Sequence, residues 1–348
     1  MGKKTAVYIC PGRGTYNKSE LGYLHKYHKD LKNIFDRIDD YRKQKDFPSL
    51  WTLDGEETFK PKEHLWGINS SGLIFASSYA DFLKINSENF EVVAVTGNSM
   101  GWYTACVCAG ALSFTSGNHL IHSMSAQVKD EIIGGQIIYP EIQENWRPNQ
   151  EITNMLNQKI ADVNSRVDHA VYNSIYFGGY RIIGGNELGL KALIKELPNR
   201  LDIYPFRLVG NGAFHTPLFT DISRKVRKEL KVDLFQKFEI PLIDGRGKIW
   251  TPYSSSLDEL WDYTLGHQVD KPYDFTTAIN VAVKEFAPDY LILGGPGMTM
   301  GGAVGQILIQ NNLKSLTDKE SFKLLQQNDP YLLSMGDDLQ RNYVVNGF

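Results

Sequence analysis

Cysteine is scarce in this chain. Cys10, Cys106 and Cys108 are the only three in 348 residues, too few and too oddly spaced for a disulfide framework or a metal site. They fit reduced thiols inside a cytoplasmic protein. Charge of one sign is missing too: 37 Lys and Arg stand against 40 Asp and Glu, a formal −3, so no basic surface argues for nucleic acid and no acidic tail for a solvating arm. No apolar run is long enough to cross a bilayer, which argues against a membrane protein. The stretch Met1 to Ala6 lacks the apolar core of a signal peptide, and Ala6 stands where myristoylation wants Ser or Thr. No repeat or low-complexity tract is present. What remains is an ordinary globular composition, long enough for two domains or for one domain with an inserted subdomain.

The order of patterns predicts an α/β chain. Thr5 to Cys10 reads as a strand running into Pro11-Gly12-Arg13-Gly14, and Leu21 to Tyr41 as a solvent-facing helix. Residues 44 to 64, broken by Pro48 and Pro61, read as a surface excursion, and Ile68 to Ile85 as a second helix. From Val128 to about Arg207 the texture changes. Glu131 to Ile138 and Val171 to Ile183 look strand-like, with helices at Glu151 to Ser165 and Asn186 to Leu197, an alternation that suits a small inserted subdomain. Tyr204 to Val209 and Pro288 to Leu293 are further short strands, the second ending at Gly294-Gly295-Pro296-Gly297 before a helix from Gly302 to Leu313. Strands feeding Gly-rich turns and then helices imply a largely parallel sheet, with functional residues at the strands' C-terminal ends. The last thirty or so residues, rich in Asp, Gln and Asn, read as a peripheral extension.

Within this pattern, Gly97-Asn98-Ser99-Met100-Gly101 carries the chemistry. A β-branched strand, Phe90 to Thr96, precedes it, and an Ala/Cys/Val-rich helix, Trp102 to Ala111, follows. Between a strand and a helix, this spacing lifts a serine hydroxyl onto a helix N-terminus, where backbone N–H groups favour a developing oxyanion. Ser99 is thus a candidate acyl-forming nucleophile; the bland alternative is a small-residue packing turn. The other glycine loops are weaker signals. The first has Asn17 where a dinucleotide fingerprint needs its third glycine, and the Gly295 to Gly302 loop lacks the Lys-Ser/Thr ending of a P-loop.

A serine needs a general base. His25, His28 and His64 lie in polar stretches and His119 and His122 on probable helix faces, where surface roles are the default. His215 differs, sitting just past a strand end in Gly212-Ala213-Phe214-His215-Thr216-Pro217-Leu218. No carboxylate occupies an obvious third position; Asp221 is near only in sequence.

Pro11-Gly12-Arg13-Gly14, Gly97-Asn98-Ser99-Met100-Gly101, Gly212 to Leu218 and Gly295-Pro296-Gly297 occur in the order and approximate spacing of one family. From Thr5 to about Leu313 the chain resembles the malonyl-CoA:acyl carrier protein transacylases and polyketide synthase acyltransferase domains. The resemblance implies a hydrolase-like, largely parallel α/β core with an inserted ferredoxin-like subdomain, here residues 1–127 and 208–348 around 128–207. It implies Ser99 as the nucleophile that takes an acyl group from a coenzyme A thioester, and His215 as the base that later activates the phosphopantetheine thiol of an acyl carrier protein. Gln268, four residues before Pro272, would orient the histidine through its backbone carbonyl. The N–H groups of Met100 and Arg13 would form the oxyanion hole, and Asn173 would line the cleft. No permanently bound cofactor or metal is implied. Coenzyme A thioester is substrate.

Three positions depart from the family. Arg13 stands where Gln is usual, and Asn98 replaces the His before the serine. Malonyl-specific members carry an arginine twenty-five residues after the nucleophile, which clamps the malonyl carboxylate; here that position is Met124, and no Arg occurs between Arg42 and Arg147. The expected activity is therefore acyl transfer through acyl-Ser99, with an acyl group other than malonyl. A thioester hydrolase on the same scaffold and a non-catalytic module that binds carrier protein are the alternatives.

Overall fold

The computed structural model describes residues 2–128 and 132–347. Two sheets organise them. The larger, in the order β11-β10-β1-β2-β7-β8, is built from β1 (Lys4–Cys10), β2 (Phe90–Gly97), β7 (Leu242–Ile243), β8 (Ile249–Trp250), β10 (Tyr290–Leu293) and β11 (Leu332–Ser334). All its pairings are parallel except the β7/β8 hairpin. β1 lies near the middle, and Ala6 to Cys10 are fully buried, as a strand covered on both faces requires. In register, Cys10 pairs with Gly97 and Ile9 with Leu293, so three Gly-containing loops leave the sheet along one edge. That edge is where the expectation placed the functional residues.

The smaller sheet runs β6-β3-β5-β4-β9, from β3 (Gly135–Pro140), β4 (Val171–Phe177), β5 (Tyr180–Gly185), β6 (Phe206–Leu208) and β9 (Tyr273–Asp274). Helices Gln150–Asn164 and Glu187–Glu196 complete a β-α-β-β-α-β order. Leu156, Val163, Leu190 and Leu193 from these helices close a separate small core with Ile137, Val171 and Ile183. Ile175 and Ile182 pack instead into the main core. β9 comes from outside this stretch and pairs in parallel with β4, which ties the two sheets together.

Four expectations need correction. Val171 to Ile183 is a hairpin rather than one strand, because Gly178, at φ +64, turns the chain between β4 and β5. Residues 44 to 64 are no surface excursion: Leu50 and Leu53 are core, and Pro61 opens the short helix Pro61–His64 instead of breaking one. His28 and His64 are fully buried rather than exposed; His64 Nε2 lies 2.9 Å from the Leu53 carbonyl. The C-terminal residues are not peripheral either, since β11 extends the main sheet and Met335 is wholly buried. Their polar average conceals the short apolar run at Leu332 and Leu333. The strand expected from Glu131 begins outside the described residues; its described part starts at Gly135. Among the described residues no helix is long and apolar enough to cross a membrane.

Candidate active site

Ser99 sits on the turn between β2 and helix Gly101–Cys108, with φ at +55. For a non-glycine residue this left-handed conformation is strained, and the surrounding packing must hold it. Gly101 shows how tight that packing is: a Cβ there would meet the Cys10 carbonyl oxygen at 2.2 Å. Asn98 N–H donates to the same carbonyl at 3.0 Å, so the end of β1 and the serine turn are locked edge to edge.

His215 reaches the serine from the loop after β6. Its Nε2 lies 2.7 Å from Ser99 Oγ, and its Nδ1 lies 2.5 Å from the main-chain oxygen of Gln268. A carbonyl only accepts, so Nδ1 carries the proton and Nε2 is left to accept from the serine hydroxyl. His215 is 2% exposed, and burial holds its imidazole down to about 4, against an opposing push from the Gln268 carbonyl. At neutral pH it is an unprotonated base.

No carboxylate is needed for that orientation. The helical run from Leu257 to Asp270, with a π turn at Tyr263–His267, ends just after Gln268. The last carbonyls of a helix lack intrahelical partners and carry the negative end of its dipole. Gln268 offers its oxygen to the His215 ring, and Val269 accepts the His215 N–H at 2.9 Å. The same negative end would favour an imidazolium at His215 over a neutral ring.

Of the residues expected at the site, Ser99, Met100, His215, Gln268, Arg13 and Met124 line one cavity, about 440 Å³ of empty space with its mouth included. Among the described residues, the N–H groups of Met100 and Arg13 have no hydrogen-bond partner. The Arg13 guanidinium, lowered to about 10 by burial, donates to the Gly210 carbonyl at 3.1 Å and packs beside Gly67. Asn173 is elsewhere. Its carboxamide oxygen accepts from Arg181, which also meets Asn157 of the Gln150–Asn164 helix, whereas neighbouring Ser174 hydrogen-bonds the Phe214 carbonyl. Asn173 comes just before a bulge in β4: Val171, two residues earlier, belongs to the small core, whereas Ile175 after the bulge packs into the main one. Sequence reasoning missed Ser71, Tyr103, Ile121, Ser125, Val128 and Phe214, which complete the wall. Tyr103 was findable, one helical turn after Ser99; so was Val128, one turn after Met124.

No family model matches the chain. A malonyl CoA-acyl carrier protein transacylase from Bacillus subtilis is 20% identical over 318 residues, spanning 91% of this chain and 95% of that protein. The chain is a relative of the malonyl CoA-acyl carrier protein transacylases. Among solved structures, an acyl-carrier-protein S-malonyltransferase from Burkholderia pseudomallei superposes with a TM-score of 0.75 at 15% identity, covering 98% of this chain and 99% of that one. A malonyl-transacylase solved in complex with its type II polyketide acyl carrier protein gives 0.72 at 17% identity over 99% of both chains. The transacylase fold therefore runs through nearly the whole chain.

Proposed function

We propose that this transacylase relative is an acyl-CoA:acyl carrier protein S-acyltransferase of fatty acid or polyketide biosynthesis, acting in the cytoplasm by a ping-pong mechanism. The observation that carries the reading is the continuous line Ser99 Oγ, His215 Nε2, His215 Nδ1, Gln268 carbonyl. Ser99 Oγ attacks the thioester carbonyl while His215 Nε2 takes its proton. The oxyanion is met by the N–H groups of Met100 and Arg13. Collapse expels the coenzyme A thiolate, which recovers the proton from His215 and leaves acyl-Ser99. The carrier's phosphopantetheine thiol then gives its proton to His215 and attacks the ester, and the proton returns to Ser99. In this reading the larger sheet is a hydrolase-like core, residues 1–127 and 208–348, and residues 128–207 are an inserted ferredoxin-like subdomain.

The acyl group follows from the cavity wall. A carboxylate brought into a dry pocket needs a paired cation. Met124, 4% exposed, presents a thioether beside Ile121 and Val128 at the wall where malonyl-specific members carry arginine. Arg13 is the cation among the described lining residues, and it is engaged with Gly210. Uncharged groups, acetyl or longer, are therefore preferred over malonyl. Intact-mass analysis after incubation with acetyl-CoA and malonyl-CoA in competition tests this. The expected result is one acetyl adduct on the Ser99 peptide, discharged by pantetheine thiol faster than by water. Strong malonyl preference overturns the acyl assignment, and its loss in Arg13→Gln identifies the substitute cation; discharge by water alone makes the protein a hydrolase. Met124→Arg should move preference toward malonyl.

A further inference from the structure

The reactive pair shares an uncommon property. Ser99 and His215 are both non-glycine residues in the left-handed region, with φ at +55 and +58. Two strained residues on separate loops must be held in register for a 2.7 Å contact to persist. Both are tied to one residue. The Gln268 main-chain oxygen takes the His215 ring, and its carboxamide Nε2 donates to the Ser99 carbonyl at 3.0 Å, beside the Trp102 N–H on that same oxygen.

The carboxamide is itself fixed. Tyr103 OH lies 2.6 Å from Gln268 Oε1, with both residues buried in the cavity wall. The Ser99 carbonyl can only accept, so the amide nitrogen must face it and the amide oxygen must face Tyr103, whose hydroxyl therefore donates. The order is forced: Tyr103 orients Gln268, and Gln268 holds the serine.

We propose that the Gln268 side chain and Tyr103 are positioning residues that brace the strained serine against its base, so that Gln268 serves the nucleophile through its side chain and the base through its main chain. This rests on the reading of Ser99 as nucleophile. It adds a side-chain role to the main-chain role expected of Gln268.

The test measures two rates, Ser99 labelling by a fluorophosphonate probe and acylation by acetyl-CoA. The proteins are wild type, Gln268→Met, Tyr103→Phe and the double variant. Gln268→Met keeps length and bulk but loses both hydrogen bonds, and should slow both rates about tenfold to a hundredfold through misplacement of the serine. Tyr103→Phe should slow them roughly threefold to tenfold. Because Tyr103 acts through Gln268, the double variant should match Gln268→Met alone. The loss should fall on kcat at unchanged KM, and the low-pH limb of labelling should stay near its wild-type position, since the His215 partner is main chain. A merely structural loss would move neither non-additively. Wild-type labelling by Gln268→Met, or additive losses in the double variant, overturns the proposal. If Gln268→Met does not fold, an unchanged rate in the isosteric Tyr103→Phe overturns it equally. Should acetyl-CoA prove inert while the probe shows the expected pattern, acyl transfer falls and the brace stands; a wild-type Ser99 inert to the probe overturns the brace.

Discussion

His215 and His28 are both buried, and each sets a ring nitrogen against an oxygen, yet they keep opposite company. His215 faces a serine and a helix-end carbonyl, with no carboxylate in the line. His28 Nε2 lies 2.9 Å from Asp81, whose carboxylate also receives Arg341, Tyr23 and the Gly295 N–H. Desolvation works to raise the Asp81 carboxyl, but His28 and Arg341 outweigh it and hold the group below the ordinary range. A search for a histidine beside a carboxylate would select the wrong histidine. The difference lies in where each histidine stands: Asp81 is saturated by donors from four directions and His28 is wholly buried, its Nδ1 without a partner among the described residues, whereas His215 sets Nε2 against a hydroxyl on a cavity wall. A buried charge closed off by its donors is a structural joint, and a neutral pair on a cavity wall is where a reaction can enter.

Substitutions can break this contrast. Ser99→Ala should abolish the covalent acyl adduct altogether; an undiminished adduct in intact-mass analysis would assign the nucleophile elsewhere. His215→Ala should slow acylation by about 10²- to 10⁴-fold in single-turnover measurements, the usual range for general-base assistance, while His28→Asn should leave the rate per folded molecule nearly unchanged. Equal losses from the two histidines would erase the distinction. Arg341→Met removes one partner of a buried ion pair and should lower stability by about 3–5 kcal/mol in denaturant unfolding, again without slowing the folded enzyme.

The smallest effect is the pH dependence of His215. Its folded value near 4 lies below the ordinary 6.5, so the unfolded chain binds the proton first. Its stabilising contribution is complete above about pH 6.5 and declines as pH falls toward 4. Acylation should stay level from neutral pH down to about 5 and then fall with a midpoint near 4, where the base is protonated. A midpoint near 6.5 would mean that His215 is solvated, contrary to its burial.

Much of this was legible in the chain. Glycines around Ser99, with a β-branched run before and a small-residue helix after, are local signals, and strand and helix formed where they pointed. The loop carrying His215 was likewise marked by its position past a strand. What could not be read was long-range. Asp81 meets Arg341 across 260 residues, and no local pattern announces that pairing, so the C-terminal stretch looked peripheral and His28 looked exposed. Asn173 failed for a subtler reason, since one step along a strand exchanges the two faces of a sheet. The Tyr103 to Gln268 contact needed the fold itself.

The strand order also bears on how the protein is made. β1 lies between β2 and β10, which begin at residues 90 and 290. At ribosomal rates of about 5–20 residues per second, β1 waits from roughly a quarter of a minute to a minute for its second neighbour. Both edges of the largely apolar stretch from Ala6 to Cys10 are open until β2 emerges, and one stays open until β10 does, the kind of template on which chains mispair. Biosynthesis of this protein should therefore depend on chaperone cover through emergence of β10, and the yield of folded enzyme should respond to translation speed across residues 90 to 290 more than to changes beyond it.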